Sequence, residues 1–485
     1  MKRKTAYFFL FFLIILSLGS YAFFFSSADV IPFDDFFTFR QVDQISSQGV
    51  PLLFDTLSYQ GRFHPFTPFY FYLATIISLI SSTYVVLLLS LLLFAGFLLV
   101  LFFFVQRIYR RYWLSIFIVF LASTTILLVG SFSLISGELQ LFFLLYLLLL
   151  FSFSRISEKG HFTKFLFILI LATFTTPFSL IVILGFILYL VLLALERMQI
   201  RKEELEAIGF ASLFILWYHL IIYKNFLVLS GTQFIWDSIP RELLADFFTS
   251  LSLPLLIQSL GFIPLFLGLY GMYDVLFVKR NRYVLLLTSF AFISGASLLI
   301  GLLPLYAGLT FVSINLLLLS GYGVTRLFSF FSYFSLPWAK NAFLITVSFF
   351  AISFFLIQLV TVEPPQGIDR EELLAVQNLS LDQAVILSHI QEGHFLSFST
   401  SQQTFFDQRF VFANTPQQRF EDARTVFQSQ SLSRILEVVE RYGITHIYIS
   451  LYTRELYGQE EFFFESFECF YPILESQAIL YEIQC

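Results

Sequence analysis

Two adjacent carboxylates, Asp34 and Asp35, follow an apolar run in the stretch Pro32-Phe33-Asp34-Asp35-Phe36-Phe37-Thr38-Phe39-Arg40. At the end of a membrane segment, where water is scarce, a carboxylate can take the proton of an acceptor hydroxyl as general base. It can equally hold a divalent cation against a phosphate leaving group. The plainer alternative is a pair of solvated loop acids that keep their segment out of the membrane.

The elements that must position this pair are set by composition. The 485-residue chain is 58% hydrophobic, 20% aromatic and 13% charged, with a mean hydropathy of +0.82, against roughly 25% charged in an ordinary soluble domain. A soluble chain is excluded, and a net charge of -5 implies no basic surface for nucleic acid. Apolar runs near the ~20 residues that cross a hydrocarbon core recur at 7–25, 84–105, 113–130, 139–153, 162–176, 178–195, 207–223, 255–278, 283–303, 305–327 and 341–361. They predict a polytopic α-helical membrane domain of about eleven transmembrane helices. The run 66–80 is shorter and suits a membrane-dipping helix. With this count, seventeen Lys and Arg fall in cytoplasmic segments, and only Arg40, Arg62, Lys224 and Arg241 fall in outer segments before residue 362. That asymmetry follows the retention of cations on the cytoplasmic side. The N-terminus, with Lys2, Arg3 and Lys4, is then cytoplasmic, and the length of the first run reads as an anchor rather than a cleaved signal. The loop 26–65, the loop 224–249 with an amphipathic helix at 239–252, and everything after Val362 are expected outside the cell membrane.

After the linker-like Glu363-Pro364-Pro365-Gln366-Gly367 the chain takes on ordinary globular polarity. Residues 363–485 read as a small extracytoplasmic α/β domain behind a membrane domain of 1–362. Strands are expected at Val385–Ser388, Phe395–Phe398, Ile444–Ile449 and Ala478–Ile483, with a helix over Leu432–Tyr442 that Gly443 stops. The two cysteines, Cys469 and Cys485, lie in this region without metal-ligand spacing, and whether they pair is left open.

Beyond the acidic pair, the first outer loop continues with Gly49-Val50-Pro51, Asp55, and Tyr59-Gln60-Gly61-Arg62-Phe63-His64-Pro65. With Asp34 and Arg40 six residues apart, this pattern resembles the GT-C superfamily of polytopic glycosyltransferases, in particular its archaeal-type oligosaccharyltransferase-like and protein mannosyltransferase-like members. Gly137-Glu138 stands where such proteins keep a second acidic motif, and Thr175-Thr176-Pro177 makes a tight outer turn that relatives also show. The stretches Asp382 to Phe410 and Tyr442 to Ile449 look like the outer domain of the archaeal members. The resemblance implies transfer of a sugar from a polyprenyl-phosphate-linked donor to an extracytoplasmic lipid, glycan or protein acceptor, in the membrane of a cell envelope.

By that resemblance Asp34 is the catalytic carboxylate, with Asp35 as a neighbour that shares a metal or raises its partner's pKa. Glu138 completes the site from another loop, unless it is only a helix-start acid favoured by the helix dipole. Asp34 and Glu138 are the ligands if a divalent cation, Mg or Mn, takes part. Donor phosphate needs positive charge, for which Arg62, Arg40 and His64 are the candidates, against a reading in which Arg40 only pairs with nearby acids. Many relatives carry an Arg at the outer start of the span 305–327, where this chain has Leu305-Tyr306-Ala307, so Lys224 or Arg241 would substitute. His219 lies in a membrane run, and His161, His389, His394 and His446 form no metal pattern. Two other functions fit the same residues. One is an asparagine-targeting oligosaccharyltransferase, although the chain has no Trp after Trp338 and only Phe234-Ile235-Trp236-Asp237 near a Trp-Trp-Asp motif. The other is a transporter or flippase of lipid-linked intermediates, which would place its polar groups at mid-membrane rather than at one face.

Overall fold

A computed structural model describes residues 3–26, 30–58, 61–64, 67–81, 84–125, 137–230, 253–277, 281–333, 337–361, 367–409 and 415–485. The expected helix at 239–252, Arg241, the Phe234 to Asp237 stretch and the linker 363–366 lie outside the described residues.

The chain opens with helix α1 (Arg3–Ser26), strand β1 (Val30–Pro32), helix α2 (Phe33–Gln48), the short strands β2 (Phe54–Asp55) and β3 (Arg62–Phe63), and helix α3 (Phe69–Ser78). Then come α4 (Val85–Tyr109), α5 (Tyr112–Thr124), α6 (Gly137–Phe153), α7 (His161–Thr173), α8 (Ser179–Leu195) and α9 (Lys202–Ser230). The helical part closes with α10 (Leu253–Leu260), α11 (Phe262–Phe277), α12 (Arg282–Leu299), α13 (Leu305–Tyr333) and α14 (Pro337–Thr361). Within the described residues each predicted apolar run overlaps one of these helices, except 255–278, which is split between α10 and α11 at Gly261, whose φ is +75°. Among the described residues, six helices are long and apolar enough to cross a membrane, and α3, α5, α6, α7 and α8 are shorter apolar helices. One continuous core joins them, with Phe94, Phe97, Phe102, Phe142, Tyr146 and Leu317 fully enclosed. Outward residues such as Phe8, Leu213, Ile345 and Phe349 stay exposed, as a bilayer-facing surface requires.

The expected outer loop 26–65 is largely built rather than loose. Phe33, Phe36, Phe37, Arg40 and Gln41 recur at helical spacing and are buried, while Asp43 and Ser46 are exposed, so the segment folds as α2. Gly49 ends it in the left-handed conformation at φ +74°, its amide donating to the Ile45 carbonyl at 2.8 Å.

The C-terminal part contains β4 (Gly367–Asp369), α15 (Arg370–Gln377), β5 (Val385–Leu387), α16 (Gly393–Thr400), β6 (Gln403–Thr404), α17 (Pro416–Gln428), α18 (Leu432–Tyr442), β7 (His446–Ile449), α19 (Leu451–Tyr457), β8 (Phe470–Glu475) and β9 (Ile479–Ile483). Its sheet has the order β6-β5-β7-β9-β8, parallel across β6, β5 and β7 and antiparallel across β7, β9 and β8. A disulfide joins Cys469 to Cys485, which settles the open pairing. The strand expected at Phe395–Phe398 is instead part of helix α16. Phe395 and Phe398, three residues apart, both meet Phe36, at ring distances of 5.2 and 5.8 Å, which is the spacing of one helix face and not of a pleated strand.

Strand β4 pairs antiparallel with β1, placing Pro32 opposite Gly367 directly before the acidic pair. Gly367 has no room for a side chain there, because a Cβ would collide with the Ile31 carbonyl. Phe33 and Phe36 pack into the core formed by Ile368, Val376, Phe395 and Tyr448, while Phe37 on another face of α2 meets Phe71 of α3 at 5.5 Å. Helix α2 is thus held between the helical part and the C-terminal part.

Candidate active site

The N-terminus of α2 carries Asp34 and Asp35 in its first turn, where the helix dipole favours acidic groups. Asp34 is exposed and Asp35 half-buried. Glu138, at the start of α6, lies close enough to Asp34 for each charge to act on the other. Two neighbouring residues of the C-terminal part enter this acidic centre. Gln408 hydrogen-bonds Asp34 through its side chain, and Arg409 donates through Nη2 to Glu138 Oε1 at 2.9 Å. The Arg409 guanidinium lies over the Phe37 ring at 3.9 Å, a cation–π contact that fixes its plane. Tyr70 of α3 comes up from below. Its hydroxyl sits against Gly137, where a Cβ would collide with it, and within electrostatic reach of Asp35 and Glu138. Tyr223 of α9 feels both Arg409 and Glu138, and the adjacent Lys224 is exposed.

Burial pushes the Asp35 carboxyl up to about 8, and the charge of Asp34 beside it adds to the rise. Asp34 is also raised by burial, less so because the Gln408 hydrogen bond and the Arg409 charge favour its ionised form. Asp34 is exposed as a residue, and the protein around its carboxyl removes enough hydration to disfavour the charge. The pair therefore holds a proton near neutrality that two isolated aspartates would have lost.

The remaining predicted residues gather in a second, buried cluster. Arg40 donates through Nη2 to Asp55 Oδ1 at 2.6 Å and meets His394 Nδ1 at 3.2 Å. His64 Nε2 lies 3.3 Å from Asp55 Oδ2. Arg62 pairs with Asp407, whose Oδ1 is 3.5 Å from His394 Nε2. All six side chains are shielded from solvent. Burial alone would raise Asp55, but the His64 hydrogen bond and the Arg40 guanidinium hold it well below the usual carboxylate range. Asp407 is likewise held low, chiefly by Arg62. Burial drives His64 down to about 4 and His394 to about 3, so both imidazoles are neutral. The expected phosphate ligands Arg40, Arg62 and His64 are thus engaged by Asp55 and Asp407, away from Asp34 and Glu138.

The two clusters meet at Asp407, because Asp407 Oδ1 also accepts from the Arg409 amide at 2.8 Å. Sequence reasoning missed Gln408, Arg409 and Tyr70. The count of outer cations stopped at residue 362, before Arg409, although scarcity of positive charge near Asp34 was itself the signal to look further.

No family model and no curated protein sequence matches the chain. Solved structures do. The fold superposes on the Archaeoglobus fulgidus oligosaccharyltransferase in the apo form with a TM-score of 0.69 and 12% identity, over 93% of this chain and 70% of that one. Archaeal oligosaccharyltransferase AglB from Archaeoglobus fulgidus, in complex with an inhibitory peptide and a dolichol-phosphate, gives 0.62 and 11% identity over 92% and 70%. ArnT from Cupriavidus metallidurans bound to undecaprenyl phosphate gives 0.57 and 12% identity, with 97% of each chain covered.

A further structure of the A. fulgidus enzyme is a complex with Zn and sulfate, which raises the question whether this site fits a metal. Among the described residues no three His, Cys, Asp or Glu converge as metal ligands. A metal held between Asp34 and Glu138 would have to share Glu138 with the guanidinium of Arg409, whose charge already acts on both acids. This donor set does not fit a divalent ion. Apolar helices, architecture and superpositions agree on a single statement: the chain is a membrane protein that shares its fold with the A. fulgidus oligosaccharyltransferase and with ArnT.

Proposed function

We propose that the chain is a glycosyltransferase that moves a sugar from a polyprenyl-phosphate-linked donor to an acceptor outside the membrane, with Asp34 as general base. The observation that carries this reading is the convergence of Asp34 and Asp35, in the first turn of α2, with Glu138, at the start of the apolar helix α6. An acceptor O–H attacks the anomeric carbon, the C–O bond to the donor phosphate breaks, and its electron pair leaves on the phosphate oxygen. The hydroxyl proton passes to the Asp34 carboxylate. Burial raises the Asp34 carboxyl, which makes it a stronger proton acceptor than an ordinary aspartate and suits that transfer. Asp35, pushed up to about 8, retains its proton and lowers the local negative charge.

The same reading places eleven crossings in the membrane, with the N-terminus in the cytoplasm and residues 363–485 outside as an α/β domain. The cation asymmetry of the loops supports it, as does the Cys469–Cys485 disulfide, a bond that persists in oxidising compartments. An acceptor hydroxyl on a lipid, glycan or protein is favoured over asparagine because the sequence after Trp338 contains no Trp for a Trp-Trp-Asp motif. Reconstitution with radiolabelled polyprenyl-phosphate sugars tests the proposal. Wild type is expected to transfer label, and Asp34→Ala to lose about 10²–10⁴ of the rate. Transfer by the variant within about threefold of wild type would remove Asp34 from the mechanism.

A further inference from the structure

We propose that Arg409 is a built-in cation of the acidic centre, standing where this kind of site would otherwise take a divalent metal. The inference rests on the glycosyltransferase reading for its chemistry, though not for its test. The acidic centre collects three carboxyl groups, and an unbalanced cluster of that kind ordinarily recruits a cation. Here the cation arrives from the C-terminal part, 271 residues along the chain from Glu138.

Three contacts fix its position independently of any ligand. Glu138 takes one N–H at 2.9 Å, Phe37 supports the guanidinium plane at 3.9 Å, and Asp407 accepts the Arg409 amide at 2.8 Å. Asp407 is itself immobilised by Arg62 and by the short β6 segment, where the Thr404 amide donates to the Leu57 carbonyl at 2.9 Å. The cation is therefore preset before substrate binds, which is what electrostatic stabilisation of a leaving group needs.

The guanidinium is not sealed off, since one quarter of the Arg409 side chain is exposed, at 25%. Arginine carries five N–H donors in a planar fork, so the bond to Glu138 leaves donors for the oxygens of a departing phosphate. In this arrangement Arg409 replaces both duties of a metal. It draws Glu138 and Asp34 together by charge, and it offers fixed positive charge to the phosphate.

The test is a Mn²⁺ titration of the purified full chain, read by loss of the free-ion electron paramagnetic resonance signal, with no sugar donor present. Wild type is expected to bind no Mn²⁺ that depends on Glu138, and its transfer activity is expected to survive EDTA. Arg409→Ala frees the two carboxylates and is expected to bind one Mn²⁺, which the added Glu138→Gln change abolishes. Arg409→Lys keeps the charge and stays silent. Should Arg409→Ala fail to fold, Arg409→Gln keeps the stem over Phe37 and carries the same comparison. Mn²⁺ binding by wild type that Glu138→Gln removes would overturn the proposal. So would failure of a folded Arg409→Ala or Arg409→Gln variant to bind the ion, because the guanidinium would then fill no cation site. Absence of sugar transfer, with these titrations as expected, would count against the enzymatic reading alone.

Discussion

Two charged clusters lie side by side where the first outer segment meets the C-terminal part, and they are built on opposite principles. In the one around Asp55 and Asp407, each carboxylate is matched by a guanidinium, both histidines are neutral, and every side chain is buried. In the one around Asp34, three carboxyl groups face one guanidinium, and the centre remains open enough for Asp34 to be exposed. Balanced, buried charge fixes geometry, because removing either partner leaves an uncompensated ion. Unbalanced, accessible charge shifts pKa values and is available for chemistry. The first cluster acts as the clamp, and the second is the place to look for catalysis.

The largest expected effect comes from the clamp. Arg62→Ala leaves Asp407 buried without its partner and should cost about 3–5 kcal/mol of stability. The measurement is the thermal melt in detergent, and an unchanged melt would show that the pair is not a clamp. Next is pH. His64 and His394 stay neutral in the fold, with values of about 4 and about 3, but take up protons near 6.5 when unfolded. Stability from them is complete above pH 6.5 and is lost as pH falls toward those folded values. The slope is about 1.4 kcal/mol per pH unit for each imidazole. Asp55 and Asp407, held low, add a loss only below the ordinary carboxylate range. Asp35, raised to about 8, acts in the opposite sense over this range, stabilising the fold as pH falls. The imidazole contribution is therefore read by difference: from pH 7.5 to 4.5 a His64→Gln variant should lose less of its melting temperature than wild type. An equal fall in the two proteins would contradict the assignment of a neutral, buried His64.

A smaller effect sharpens the other half of the comparison. Asp35 holds its proton near neutrality, so Asp35→Asn exchanges one neutral group for another and should leave the rising limb of the pH–rate profile, where Asp34 loses its proton, in place. A shift of that limb toward acid by about one unit would show that Asp35 is ionised beside the base. Abolished activity at every pH would transfer the base role to Asp35. The least expected change is from Lys224→Ala, since Lys224 is exposed and Arg409 already supplies positive charge. A loss of rate beyond about tenfold would make Lys224 part of phosphate binding.

What the sequence made legible divides along the same line. The apolar runs were readable because hydropathy over ~20 residues is a local property, and Asp34-Asp35 because adjacent acids beside such a run are conspicuous on their own. Arg40 was misleading for a geometric reason. Six residues along an α-helix is a rotation of about 240°, so the spacing that drew attention to Asp34 and Arg40 turns the guanidinium to another face. There it finds Asp55 and His394, the second of which lies 354 residues away. Arg409 was invisible because nothing local connects it to Glu138. Tertiary contacts bring that residue to the acids, among them the pairing of β4 with β1, the bond of Arg62 to Asp407 and that of Arg40 to His394. Phe395 and Phe398 were read as strand because short aromatic runs suit strand and helix alike, and contact with Phe36 decided for helix.

The most direct test sets one carboxylate from each cluster against the other. Asp34→Asn and Asp407→Asn are purified in parallel, and each is measured for thermal melt and for transfer from a radiolabelled polyprenyl-phosphate sugar. Asp34→Asn is expected to keep the wild-type melt and lose transfer, while Asp407→Asn lowers the melt. An Asp34→Asn protein that melts early, or that transfers sugar at the wild-type rate, would overturn the division into a clamp and a catalytic centre.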